Sequence, residues 1–234
     1  MRKSKSAKKA ATPKTHAAQE KKSSARKILA LLEKEYSGAW CSLSHKNPLQ
    51  LLISTILSAQ CTDARVNMVT PKLFERYKTA KDFANSPQSE LEPYIRSTGF
   101  YHSKAKNIIN AAKKIVKNYR GKVPERMEDL VLLDGVGRKT ANIVTFHAFN
   151  KAYGIAIDTH AYRITRRLGL SKANSPEKME KELMLLLPQS VWGAYTNYMV
   201  AHGRKYCMAR KPNCSACPLN KVCPSAFKFH QLMH

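Results

Sequence analysis

Acidic residues are scarce in this chain, and long apolar runs are missing. Asp and Glu number 16 against 41 Lys and Arg, leaving a net charge of +25 over 234 residues. Residues 1–27 hold ten basic side chains and one acid, Glu20, for +9, so the remainder still carries +16. Such a body repels itself, and a polyanion relieves that repulsion. A cationic surface kept for solubility alone is the competing reading, but acids serve solubility better. Nucleic acid is the expected partner. No apolar run approaches the ~20 residues that a bilayer span needs, and the N-terminus lacks the apolar stretch of a secretory signal. The expectation is a soluble, cytoplasmic protein with no membrane partner. No segment alternates apolar and polar residues cleanly enough to be a strand, and no internal repeat is visible.

What is present reads as helix after helix. Residues 1–24 mix Lys, Ala, Ser, Thr and Pro with little that is apolar, and read as a disordered basic arm. Ile28, Leu31 and Leu32 then make a first helical stripe. Asn47-Pro48 opens a second helix, with Pro at its first position, followed by Leu51, Leu52, Ile56 and Leu57. Helical spacing recurs at 62–77, 101–119, 138–149, 159–168, 176–187 and from Val191 to about Lys205. The fold class is therefore all-α with short loops.

One stretch carries more than periodicity. In Leu133-Asp134-Gly135-Val136-Gly137-Arg138-Lys139-Thr140-Ala141, two glycines let the backbone turn sharply and approach another molecule. They also leave free N–H groups at a helix start, which is an anion site that a DNA phosphate fits. A Gly-x-Gly turn alone is shared with many helix pairs that bind nothing. Lys139 adds chemistry. The positive end of the helix dipole and the apolar stripe of Ile143 and Phe146 both disfavour its charged form. A neutral amine is what attack on a sugar carbon requires. A lysine that merely snorkels to solvent and meets a phosphate would look the same locally. Asp158 precedes the helical Thr159-His160-Ala161, so it reads equally as an N-cap and as an acid that works with Lys139.

Of the six cysteines, Cys207, Cys214, Cys217 and Cys223 crowd into 17 residues as C-x6-C-x2-C-x5-C. Without an export signal, a metal centre is a better reading than disulfides. Four thiolates suit zinc or an iron–sulfur cluster. Arg204, Lys205, Arg210, Lys211 and Lys221 surround them with no intervening acid, which suggests a phosphate-contacting loop. Cys41 and Cys61 stand apart, and Cys61 reads as plain helical core.

The hairpin segment Leu133 to Asn142 resembles the helix-hairpin-helix of the endonuclease III family of DNA glycosylases. Ile157-Asp158-Thr159-His160, Leu57-Ser58-Ala59-Gln60-Cys61-Thr62-Asp63, Ser103-Lys104-Ala105 and the cysteine spacing also resemble that family, in its order, over about residues 25–225. The resemblance implies a two-lobed helix-hairpin-helix fold with a C-terminal cluster loop. Residues 42–152 would form a six-helix lobe. A second lobe would join an N-terminal helix at 25–41 to residues 153–234, which carry the cluster.

It further implies a monomeric glycosylase and abasic-site lyase of base excision repair, acting on oxidised pyrimidines in duplex DNA. Lys139 would be its nucleophile, Asp158 its partner, and a [4Fe–4S] cluster would sit on the four cysteines. The implied DNA contacts are Gln60, Phe100, Gly135, Val136, Gly137, Arg138, Arg210 and Lys211, with Gln60 and Phe100 filling the gap left by an extruded base, although by its sequence position Phe100 reads equally as a core contact after a helix end. In a bacterium such an enzyme would associate with the nucleoid. Where this chain has Asp134 the family usually has proline, and a carboxylate beside a phosphate site is expected to weaken DNA binding. A mismatch-type adenine glycosylase shares the hairpin and cluster but lacks the lysine. A non-enzymatic DNA-binding protein would leave the pairing of Lys139 with Asp158 a coincidence.

Overall fold

The structure is a computed structural model that describes residues 13–228. Among these residues there are eleven α-helices, two short 3-10 turns and no strand. The first helix, α1, runs Pro13–Glu35. Residues 13–24 are thus helical and not a disordered arm; residues 1–12 lie outside the described residues. Ala, Gln, Glu and Lys at 17–22 are strong helix formers, and Pro13 suits a helix start. Charge without an apolar stripe hid that propensity.

α2 (Pro48–Leu57) begins where Asn47 accepts a hydrogen bond from Gln50 N and Pro48 occupies the first turn. It buries every residue from Leu51 to Leu57, so it is apolar all round and lies at the centre of its lobe. α3 (Asp63–Arg76) is capped by Thr62. α4 (Ala80–Asn85) has a reciprocal capping box between Thr79 and Asp82, and α5 is Gln88–Ile95. Neither α4 nor α5 was expected from the sequence. They have six and eight residues, with Pro87 between them and Pro93 inside the second, too little length for a period to show. α6 (Tyr101–Tyr119) buries Ile108, Ala112 and Ile115, the expected stripe. A single turn, α7 (Met127–Leu130), leads into α8 (Arg138–Phe149). The lobe spanning 42–152 therefore has seven helical segments where six were expected. α9 (Thr159–Arg167), α10 (Pro176–Leu186) and α11 (Trp192–Lys205) follow.

The buried side chains form two cores. One gathers residues from Leu43 to Val144 on α2–α8. The other joins Ala25, Ile28 and Leu32 of α1, and Tyr36 just after it, to residues from Ile155 onward, including Leu219 in the cysteine segment. Cys61 departs from its expected place. It follows the end of α2, is half-buried in a loop and only borders the first core.

Contact between the lobes centres on Glu180 of α10, which is buried. It accepts from Arg138 Nε at 2.7 Å, Asn142 Nδ2 at 2.9 Å and Ile155 N at 3.2 Å. Gly154 makes this close approach possible, because a Cβ there would stand 2.1 Å from Glu180 Oε1. One carboxylate thereby ties the helix that carries Lys139 to the segment that leads to Asp158.

Candidate active site and cluster loop

The turn between α7 and α8 is anchored by Leu133 and Val136, both buried in the first core. Gly135 adopts φ +75°, and a Cβ there would press on Asn107 at 3.0 Å. Gly137 starts α8 without a side-chain cap, so the first N–H groups of that helix face outward unclaimed by any side chain. One expected DNA contact needs correction. The Val136 side chain packs inward and its N–H is donated to Leu133 O, so neither is offered to a phosphate. Arg138 gives its Nε to the buried Glu180 carboxylate and keeps the rest of its half-exposed guanidinium at the surface.

Lys139 stands exposed in the first turn of α8. Asp158 is half-buried at the N-cap of α9, where its Oδ1 accepts from Ala161 N at 2.7 Å. Both side chains line the same two adjoining recesses between the lobes. Capping engages Oδ1 alone, so it does not preclude a second role for the carboxylate. Residues 155–157 beneath Asp158 are buried and held from both sides, by Glu180 on Ile155 N and by Thr196 Oγ1 on Ala156 O at 2.6 Å. Ile143 and Phe146 line one recess along the face that Lys139 heads, as the spacing predicts. His160 contacts Arg163 Nη2 at 3.3 Å, and burial lowers its pKa.

A second acid shares the groove. Asp63 lines both recesses and accepts from Ser42 Oγ and from Arg204 Nη2, the latter at 2.9 Å. Nothing in the sequence pairs residues 141 positions apart, so this contact was invisible there. Trp40, Asn142, His147 and Asn197, which line the deeper recess, were likewise not singled out.

Gln60 and Phe100 share an unusual backbone, with φ of +53° and +49°. Phe100 is 65% exposed, which excludes a core role. The turns that carry them are clipped together by Lys104. This buried lysine donates to Leu57 O and Thr98 O, both at 2.8 Å. Burial lowers its pKa, while nearby Cys61 opposes the shift.

The four clustered cysteines line one recess of about 400 Å³ with Ile164, Leu168 and Leu219. Tyr36, just after α1, and His202 on α11 lead toward it: the Tyr36 hydroxyl lies 2.9 Å from His202 Nδ1, and His202 Nε2 lies 3.6 Å from Cys217 Sγ. Arg167 donates to Cys207 Sγ at 3.2 Å and to the carbonyls of Met208 and Ala209. Of the basic residues nearby, Arg204 and Lys205 are committed to Asp63 and Glu35. Arg210 and Lys211 are exposed and make no such bond with the described residues.

Comparison with known proteins gives these features a family. Residues 53–189 match the HhH-GPD superfamily of base excision DNA repair proteins, and residues 207–223 match the iron–sulfur binding domain of endonuclease III. The chain is 52% identical over 206 residues to the endonuclease III of Synechocystis sp., covering 88% of this chain and 94% of that protein. The chain belongs to the endonuclease III family.

Two solved endonuclease III structures are also similar. One is a non-covalent DNA complex, with a TM-score of 0.85, 42% identity, and coverage of 90% of this chain and 98% of that one. The other is a trapped covalent DNA intermediate, with a TM-score of 0.84, 43% identity, and coverage of 88% and 97%. Like the family, this chain is a DNA glycosylase and abasic-site lyase of base excision repair with a [4Fe–4S] cofactor. No helix among the described residues is long and apolar enough to cross a membrane.

The cysteine recess fits the endonuclease III cluster. Among the described residues no three His, Cys, Asp or Glu side chains are placed to hold one metal ion, yet four thiols ring a single recess. Four soft sulfur donors around one recess suit the iron–sulfur cluster of that family. Two of these thiols are reluctant to ionise: burial, then the neighbouring cysteines, push Cys217 up to about 11, and burial raises Cys223 as well. Iron supplies the charge that makes them thiolates.

The departure at Asp134 from the family's usual proline also finds its reason. Asp134 points away from the turn to Lys114 on α6 at 2.8 Å. Lys114 holds its carboxyl below the usual range and donates to Leu132 O at 2.7 Å as well. The expected repulsion of DNA is thereby largely neutralised.

Proposed function

We propose that this enzyme excises oxidised pyrimidines from duplex DNA and then cuts the strand, with Lys139 as nucleophile and Asp158 as its acid–base partner. The observation that carries the reading is that both side chains face the same recesses between the lobes. Lys139 Nζ attacks C1′ of the damaged nucleoside, and the C1′–N bond breaks with its electron pair leaving on the base. Asp158 accepts the amine proton and offsets positive charge developing on the sugar. Ring opening gives an imine between Nζ and C1′. Loss of the C2′ proton then expels the 3′ phosphate, and water releases the enzyme.

DNA would lie across the groove. Its backbone would meet the start of α8 at Gly135 and Gly137 on one lobe and Arg210 and Lys211 on the other. Gln60 and Phe100 would fill the vacated stack; their exposure and left-handed backbones support that role. The bound cluster would hold the basic loop rigid. The enzyme would act as a monomer in the cytoplasm, associated with the nucleoid. Incubation with abasic or thymine-glycol duplex and borohydride tests the chemistry. A covalent adduct is expected with the unaltered protein and none with Lys139→Ala; an undiminished adduct in the variant would overturn it.

A further inference from the structure

Apart from the catalytic groove, α1 and α10 leave a furrow on the cluster lobe. It encloses about 980 Å³ including its mouth, and none of its residues lines the recesses that hold Lys139 and Asp158. α10 ends at Leu186 because Leu187, ahead of Pro188, is extended. The chain then turns so that Leu187 and Val191 sink into the core beside Leu29 of α1, and these three make an apolar floor. Leu185 is left on the rim at 83% exposed, more than any other large apolar side chain among the described residues. Single exposed leucines are common, but this one extends an apolar floor into a patch.

The rim is basic. Lys22, Arg26, Leu29 and Glu33 follow one another at i, i+4, i+7 and i+11 on one face of α1, a strip about 16 Å long. Lys22 and Arg26 are exposed and form no ion pair with the described residues. Lys181 stands one turn before Leu185 on the same face of α10. Against these three bases the strip has one acid, Glu33, at its other end. Phosphates gain nothing from an apolar floor, so DNA is a poor occupant. A second copy of the chain would bring the same basic rim and a further net charge of +25, and is repelled.

We infer that this furrow docks an acidic, amphipathic peptide segment of a partner protein. Its apolar side chains would seat on Leu29, Leu185 and Val191, and its carboxylates would meet Lys22, Arg26 and Lys181. A helix laid in a groove presents side chains in this way. The acidic end of the segment lies toward Lys22 and the uncharged end toward Glu33. Because the furrow shares no residue with the catalytic recesses, docking leaves DNA cutting unchanged, and the inference does not depend on the roles of Lys139 and Asp158.

Fluorescence anisotropy of the holoenzyme tests this with a labelled synthetic helix that has leucine at every third or fourth position and glutamate between. The same composition in scrambled order, and a version with lysine for glutamate, are the controls. The glutamate helix is expected to bind and both controls to bind at least about tenfold more weakly. Leu185→Asp should weaken the glutamate helix about tenfold or more, as for the lost burial of one leucine. Arg26→Glu should weaken it too, and by less at high salt. Both positions are exposed, so cleavage of abasic duplex should be unchanged in either variant, which shows that the fold is intact. Failure of the glutamate helix to bind, equal binding of the scrambled peptide, or unchanged affinity in both variants would overturn the inference. Loss of duplex affinity in Leu185→Asp would overturn it in favour of DNA, and a dimer in sedimentation velocity that Leu185→Asp dissolves would overturn it in favour of a second copy.

Discussion

Replacing Glu180 with alanine removes one acceptor from three donors on two lobes. The Arg138 side chain is 49% exposed and can return to water, so its lost ion pair contributes little. Asn142 and Ile155 are 4% and 1% exposed, and their N–H groups are left buried without a partner. Each orphan costs about 1–3 kcal/mol, so the two together cost about 2–6 kcal/mol. For a chain of this size that is a fall in Tm of about 4–24 °C. Calorimetry of the holoenzyme checks it. Because Ile155 leads into Asp158, borohydride trapping on abasic DNA should weaken in folded protein well below the transition. Glu180→Gln keeps an oxygen for Asn142 and Ile155 and should lie between. A Glu180→Ala melting point within about 2 °C of the unaltered enzyme would refute the reasoning, since effects that small belong to surface positions.

Gly154→Ala places a methyl against the same carboxylate. It should destabilise measurably in denaturant titration and add little in the background of Glu180→Ala, because both disrupt one contact. Lys104→Met releases the turns that carry Gln60 and Phe100. Excision from duplex DNA should then fall about tenfold relative to abasic cleavage in single strands, read by gel assay, since the single strand has no stack to fill. His147 is lowered from 6.5 to about 4 by burial, so between those values the unfolded chain binds the proton and the folded one does not. Stability should therefore fall as pH drops from about 6.5 to 4, on the order of 3 kcal/mol in all. His147→Leu should flatten that part of a pH–melting profile. Arg210→Ala and Lys211→Ala should each reduce the salt slope of DNA binding by about 0.9, measured by fluorescence anisotropy.

The parts legible in the sequence are those whose physics is local. The hairpin announces itself because Gly135 and Gly137 must stand beside the start of α8, and the cluster because its four ligands fall in one loop. Long helices such as α6 show their period; α4 and α5 are too short to do so. The helical stretch 13–24 was misread because helix propensity without burial leaves no apolar stripe. Everything that depends on distant meetings was hidden. The hold of Glu180 on Arg138, 42 residues away, has no sign in the sequence. Asp134 looked like a liability until Lys114 covered it. Trp40, Asn142, His147 and Asn197 come from three segments and become a recess only when α8 and α11 close against each other.

The central claim is that Lys139 forms the bond to the sugar. Borohydride-reduced adduct on abasic DNA, digested and mapped by mass spectrometry, tests it most directly. The account predicts the sugar remnant on the peptide carrying Lys139 and no adduct in Lys139→Ala. A remnant on another lysine or on the N-terminal amine of the unaltered enzyme would contradict it.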